Sequence, residues 1–144
     1  MRSPILALRA AILARCADDE ALLSAMGGSL RFHDEPPRGA EGVYAVFGEA
    51  RAKDWSTGSD EGHDQDLSIA VWSKPGGSRA ALRAADRIAA LLHEASLALD
   101  GHRLVSLRVA AVETARVEKA NLARVTLCLC ALTEVLWRSD PPLP

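Results

Sequence analysis

The chain has 144 residues, is 49% hydrophobic and 25% charged, and carries a formal net charge of −2. A chain of this length suits one ordinary domain that buries a core without metal or disulfide staples, and its composition excludes general disorder. The near-neutral charge excludes a global electrostatic bias toward nucleic acid.

Ser3-Pro4 reads as a helix start, with Ser as N-cap and Pro at the first helical position. Ile5, Leu8, Ile12 and Cys16 then fall on one helical face. Asp18 is placed to cap a second, short helix, with Asp19 and Glu20 favourable in its first turn. Leu22, Leu23 and Met26 form its apolar side, and Gly27-Gly28 ends it. Residues 30–33 read as a short extended piece. Residues 34–42, with Pro36-Pro37 and Gly39, read as a loop. Residues 43–51 form a strand that is apolar on both sides.

Residues 54–66 hold five acids (Asp54, Asp60, Glu61, Asp64 and Asp66) with Gly58 and Gly62, and read as a mobile loop or a hairpin tip. Leu67, Ile69 and Val71 then alternate with Ser68, Ala70 and Trp72 in a half-buried strand. Residues 74–78 break it, and Ser78 is placed as N-cap of the longest helix, with Arg79 beginning it. Leu82, Ala85, Ala89 and Leu92 make its apolar stripe, widened by Ile88 and Leu91. Arg79, Arg83 and Arg87 make a charged stripe at four-residue spacing.

Asp100-Gly101, inside the run LALDGHRLV, is the strongest local hairpin signal in the chain. Residues 104–114 alternate as Val105, Leu107, Val109 and Ala111 against Ser106, Arg108, Ala110 and Val112. Residues 121–136 alternate as Val125, Leu127, Leu129 and Ala131 against Thr126, Cys128, Cys130 and Leu132. Joined by residues 115–120, these two segments read as an antiparallel hairpin. The resulting fold class is α+β: an antiparallel or mixed sheet of about five strands with helices packed on one face, in the order ααβββαββ. Residues 1–136 are read as the domain and 137–144 as a Pro-rich tail.

Little in this pattern points to chemistry. His33, His63, His93 and His102 are scattered without metal-ligand spacing, and no metal or cofactor is expected. The acids of residues 54–66 do not follow the calcium-loop pattern, which needs a Glu at the twelfth position. Gly76-Gly77-Ser78 stands before a helix, a place able to hold an anion. It lacks the Walker ending, so a small enzyme with an anion site there ranks below a plain helix-start turn. Cys128 and Cys130 share a strand face and read, with Cys16, as free thiols of a protein made in the cytoplasm. No signal peptide is expected, and the apolar run 125–132 is too short to span a bilayer.

Trp55 and Trp72 stand out, since both are large apolar groups at positions that a lone subunit would expose. Aromatic residues of this kind concentrate at interface centres. Candidate subunit or partner contacts are therefore Asp54, Trp55, Ser56, Asp60, His63, Asp64, Trp72, Arg79 and Arg83.

Several ordered pieces also carry a family pattern: Gly48-Glu49-Ala50 with Asp54-Trp55, Val71-Trp72-Ser73, and Leu91-Leu92-His93. Leu99-Asp100-Gly101-His102-Arg103-Leu104-Val105, Leu107-Arg108, Glu113-Thr114 and Ala131-Leu132-Thr133-Glu134 follow. Together they resemble the tail-completion, or tail-terminator, family of siphophages, and most of all its version in the gene transfer agents of alphaproteobacteria. The resemblance runs from about Pro4 to Glu134. It departs at residues 115–120, which hold Glu, Arg and Lys where relatives often have a Gly-rich turn.

The resemblance implies a non-enzymatic virion protein that forms a homo-oligomer, a hexameric ring. The implied ring sits on the last ring of tail-tube protein, stops polymerisation and meets the head–neck connector or stopper. DNA passes through its lumen only in transit, and no membrane is involved. The subunit would be cytoplasmic during assembly and then lie at the head-proximal end of the tail. A head–tail connector or minor tail protein is the alternative. A closed ring needs two different contact patches on each subunit, and the two-sided apolar strands and Trp72 are available to supply them.

Overall fold

The computed structural model describes residues 3–37, 42–74, 78–117, 119 and 122–136. Two helices, α1 (Pro4–Ala17) and α2 (Glu20–Ala25), precede strands β1 (Phe32–His33), β2 (Tyr44–Asp54) and β3 (Gly62–Ser73). Helix α3 (Ser78–Leu92) then leads to β4 (Ala98–Leu99), β5 (His102–Val117) and β6 (Leu122–Val135). The strands form one sheet in the order β1-β2-β3-β6-β5-β4. Only β1–β2 is parallel, so the sheet is mixed and the fold is α+β. The sequence reading of about five strands missed β4, two residues that pair with Arg103 and His102 across the Asp100-Gly101 turn. Gly101 takes φ 76° there, a conformation that glycine adopts without steric cost.

The helices cover one face. Ala45 and Phe47 of β2, Leu67, Ile69 and Val71 of β3, and Val125, Leu127, Leu129 and Ala131 of β6 all point into the core. Leu8, Ile12 and Cys16 of α1 and Ala81, Ala84, Ala85, Ile88 and Leu92 of α3 close over them. Each large aliphatic side chain buried this way stabilises the fold by about 1.5–3 kcal/mol relative to exposure. Among the described residues no helix is long and apolar enough to cross a membrane.

The local signals form as their chemistry dictates, with corrections of one or two residues. Ser3 Oγ accepts from the Leu6 N–H at 3.2 Å and caps α1. Asp18 instead closes α1 as its C-cap, so the N-cap of α2 passes to Asp19, whose carboxylate accepts from the Leu22 N–H at 2.9 Å. α2 ends in paired N–H donations, Gly28 to Leu23 O at 2.7 Å and Gly27 to Ser24 O at 3.1 Å, with both glycines at positive φ. α3 already includes Ser78, and its capping position lies outside the described residues.

Three larger expectations are corrected. Leu82 is 37% exposed, and Ala81 takes its place in the buried stripe. The stripe that packs on the sheet is Ala81, Ala84, Ala85, Ile88, Leu91 and Leu92, where small residues admit close approach. The acidic segment is not a thirteen-residue loop, because β3 begins at Gly62 and pairs on both sides, with β2 and β6. Two ladders of backbone hydrogen bonds outweigh the polar composition, and only residues 55–61 remain as a hairpin tip. In β5, bulges at Leu104/Ser106 and Val109/Ala111 break the alternation. Val105 is therefore 42% exposed, while Val112 turns to the helical side opposite Leu127.

Candidate functional site

The candidate residues fall in three places. The first is the β2–β3 hairpin tip. Trp55 N–H donates to Gly62 O at 2.8 Å, and Thr57 and Asp60 exchange backbone hydrogen bonds of 2.8 and 3.0 Å. Ser56 Oγ donates to Asp54 Oδ1 at 2.6 Å, and Lys53 and Asp64 form a cross-strand ion pair at 3.8 Å. The Val135 N–H donates to Glu61 O at 2.9 Å and ties the tip to the end of β6. A Cβ on Gly62 would stand 2.7 Å from Trp55 O and 2.9 Å from Thr133 O, so only glycine fits where the strands and Trp55 converge. Asp54, Trp55, Ser56, Asp60 and Asp64 are thus brought together on a braced projection.

His63 belongs to the same stretch but lies on the other side of β3 from Asp64, in line with Gln65. Its Nδ1 is buried with no hydrogen-bond partner among the described residues. Gln65 Nε2 donates to Thr133 Oγ1 at 3.0 Å, so the buried end of the core contains a satisfied polar pair.

The second place is the helix-free face of the sheet. Tyr44, Trp72 and Arg124 stand in one row across β2, β3 and β6. The Arg124 guanidinium lies 5.6 Å from the Trp72 ring centroid, and that of Arg31 lies 5.9 Å from Tyr44. Trp72 is half-buried rather than open, and its row-mates do the covering. Further down this face Cys130 Sγ donates to Asp66 Oδ1 at 3.3 Å. Burial first, and then the Asp66 carboxylate, push the Cys130 thiol up; burial and Glu113 do the same for Cys128. Cys16, deep in the core, is pushed up to about 12, mainly by burial. All three thiols are held protonated near neutral pH, which disfavours nucleophilic chemistry at any of them.

The third place is the outer face of α3. Arg79 and Arg83 are exposed there, on the helical side of the sheet and away from Trp72. Arg87, the third member of the stripe, is structural: its Nε and Nη2 donate to both oxygens of Asp19 at 2.7 and 2.6 Å. This two-pronged bond holds the Asp19 carboxyl down at about 2, with the N–H of Leu22 assisting. Gly76 and Gly77 of the candidate anion turn lie outside the described residues. Among the described residues no group of three or more His, Cys, Asp and Glu is placed to hold a metal. Sequence reasoning missed the Tyr44–Trp72–Arg124 row and the Asp19–Arg87 pair, since both join residues that only the strand register and the helix packing bring together.

The three places give surfaces for contact. A family model described as "Tail completion protein gp17" matches residues 10–134. A chain of the solved "Virion of native gene transfer agent (GTA) particle" superposes with a TM-score of 0.82 at 30% identity, over 93% of this chain and 99% of that one. A second solved structure, 17% identical with a TM-score of 0.55 over 96% of this chain and 100% of that one, shares the fold alone. No curated protein matches the chain.

Proposed function

Because this chain belongs to the tail completion protein gp17 family, we propose that it is a structural subunit of a phage-like or gene transfer agent particle, and that it works as the tail terminator. In this reading six copies form a ring on the last ring of tail-tube protein. The ring stops further polymerisation and offers its other side to the head–neck connector. The observation that carries the reading is the end-to-end likeness to a chain of a gene transfer agent virion, at 30% identity and over 99% of that chain.

The geometry supports contact rather than catalysis. The braced hairpin tip at residues 55–61, with Asp54 and Asp64 on the strands that flank it, and the Tyr44–Trp72–Arg124 row are the surfaces we assign to neighbouring subunits or tube protein, with Arg79 and Arg83 available to an acidic partner. Thiols held protonated by burial favour a non-enzymatic subunit. Assembly takes place in the cytoplasm, and the finished ring lies at the head-proximal end of the tail with DNA crossing its lumen only in transit.

Deleting the gene tests this reading. Loss of a terminator leaves tails of uncontrolled length under the electron microscope. Tails of normal length detached from heads would instead assign the protein to the connector, and normal particles would overturn both readings.

A further inference from the structure

The sheet ends in two open edges, and the two are offset along the strands. β1 covers β2 only at Ala45 and Val46, so the outer side of residues 49–54 has no strand beside it among the described residues. At the other end β4 covers β5 only at His102 and Arg103. The turn after α3 then meets β5 at two points: the Glu94 N–H donates to Leu107 O at 2.8 Å, and the Val109 N–H to His93 Nδ1 at 3.0 Å. From residue 110 to 117 the outer side of β5 is again without a strand among the described residues. An open edge is a row of unpaired N–H and C=O groups that templates another strand. Residues 110–117 hold no Pro or Lys to prevent this, and include Ala110, Ala111, Ala115 and a Val112 that is 49% exposed.

We infer that these edges pair with each other between copies of the chain, residues 110–117 of β5 in one copy lying antiparallel to residues 49–54 of β2 in the next. The inference rests on the ring reading above and supplies the joint that the ring needs. Each strand of the series β2, β3, β6, β5 runs opposite to the one before it. A second copy in the same orientation therefore presents β2 antiparallel to β5, and the alternation continues unbroken. The contact uses two different patches, as head-to-tail assembly requires.

The offset fits closure. Arg51 shares a row with Asp66, Cys130 and Arg108, whereas Glu113 shares a row with Thr126. Cys130 and Thr126 lie four residues apart on β6, about 13 Å along the strand. Four strands per copy add about 19 Å of width. An advance of about 13 Å over about 19 Å tilts the strands by roughly 35°, at the lower end of the range of closed barrels.

Charge sets the register. Arg51 and Glu113 are exposed on the helix-free side, and neither has an ion-pair partner among the described residues. Placing Glu113 opposite Arg51 sets Val112 opposite Ala52 and Thr114 opposite Ala50 on the helical side, so charge meets opposite charge and small or apolar groups meet each other.

The test uses the full chain, with mass read by light scattering during size exclusion and fold checked by circular dichroism. Glu113→Arg and Arg51→Glu are each expected to fold normally and to need about tenfold or more protein to assemble. The double variant Glu113→Arg/Arg51→Glu is expected to assemble again. Oxidation of the double variant Ala52→Cys/Val112→Cys is expected to give a ladder of cross-linked multimers, absent from the wild type and from either single variant. An assembly that is indifferent to the charge changes, with no ladder, overturns the edge joint and leaves the ring reading standing. Val112→Cys cross-linking to itself overturns the head-to-tail arrangement. A wild-type protein that remains monomeric at all concentrations and with purified tube protein overturns both the joint and the ring.

Discussion

Arg87 is one residue of a regular arginine stripe, yet it does different work from Arg79 and Arg83. Its guanidinium binds the carboxylate that caps α2 and so ties that helix to α3. Asp19 is held at about 2 in the folded chain against an ordinary value of 3.8. The resulting stabilisation is complete above pH 3.8 and is lost as the pH falls through about 2. Arg87→Ala is therefore expected to lower Tm at pH 7 and to make little difference near pH 2, which thermal unfolding across that range checks. Gly62 makes a second point at this scale. Gly62→Ala forces a methyl group against two backbone oxygens, and is expected to cost about 1–3 kcal/mol in denaturant unfolding. The sequence marks Gly62 only as a turn residue. Its reasons for being glycine are the backbone oxygens of Trp55 and of Thr133, the latter seventy-one positions away.

At the scale of elements, α3 separates pattern from packing. Ile88 is fully buried under the helix and Leu82 is 37% exposed, although both fit a helical stripe. Ile88→Ala is expected to destabilise by about 2–5 kcal/mol, and Leu82→Ala by about 0.5 kcal/mol or less, as surface changes do. Chemical denaturation of the two variants side by side reads the difference. The strands separate in the same way. β6 keeps perfect alternation because it is central and paired on both sides, so its inward residues were legible from the sequence. β5 lies near the edge, where two bulges are tolerated and turn Val105 outward against its pattern.

For the whole molecule, the question is which surfaces meet other chains. Trp72 is the centre of an aromatic and cationic row on the one sheet face without helices. If that row is a contact surface, Trp72→Ala weakens assembly by about 2 kcal/mol or more, as an interface anchor does, while the monomer keeps its fold. Assembly mass by light scattering and binding to purified tube protein measure the effect. An unchanged assembly removes this row from the contact surface and leaves the hairpin tip and the sheet edges to carry it.

The sequence by itself determined the α+β class, the three helices and the alternation of β6, because these follow from local hydrophobic periodicity, capping residues and turn chemistry carried by neighbouring positions; the family was legible separately, in the resemblance of ordered residue pieces from Gly48 to Glu134. Ser3, Gly27-Gly28 and Asp100-Gly101 each act within a few residues of themselves. Only the tertiary structure decided the order of strands, the bulges that redirect β5, the Asp19–Arg87 tie, and the separation of the candidate contacts into three places. Each of these depends on residues tens of positions apart meeting in space, and which partner wins there is set by the packing of the whole core rather than by any local pattern.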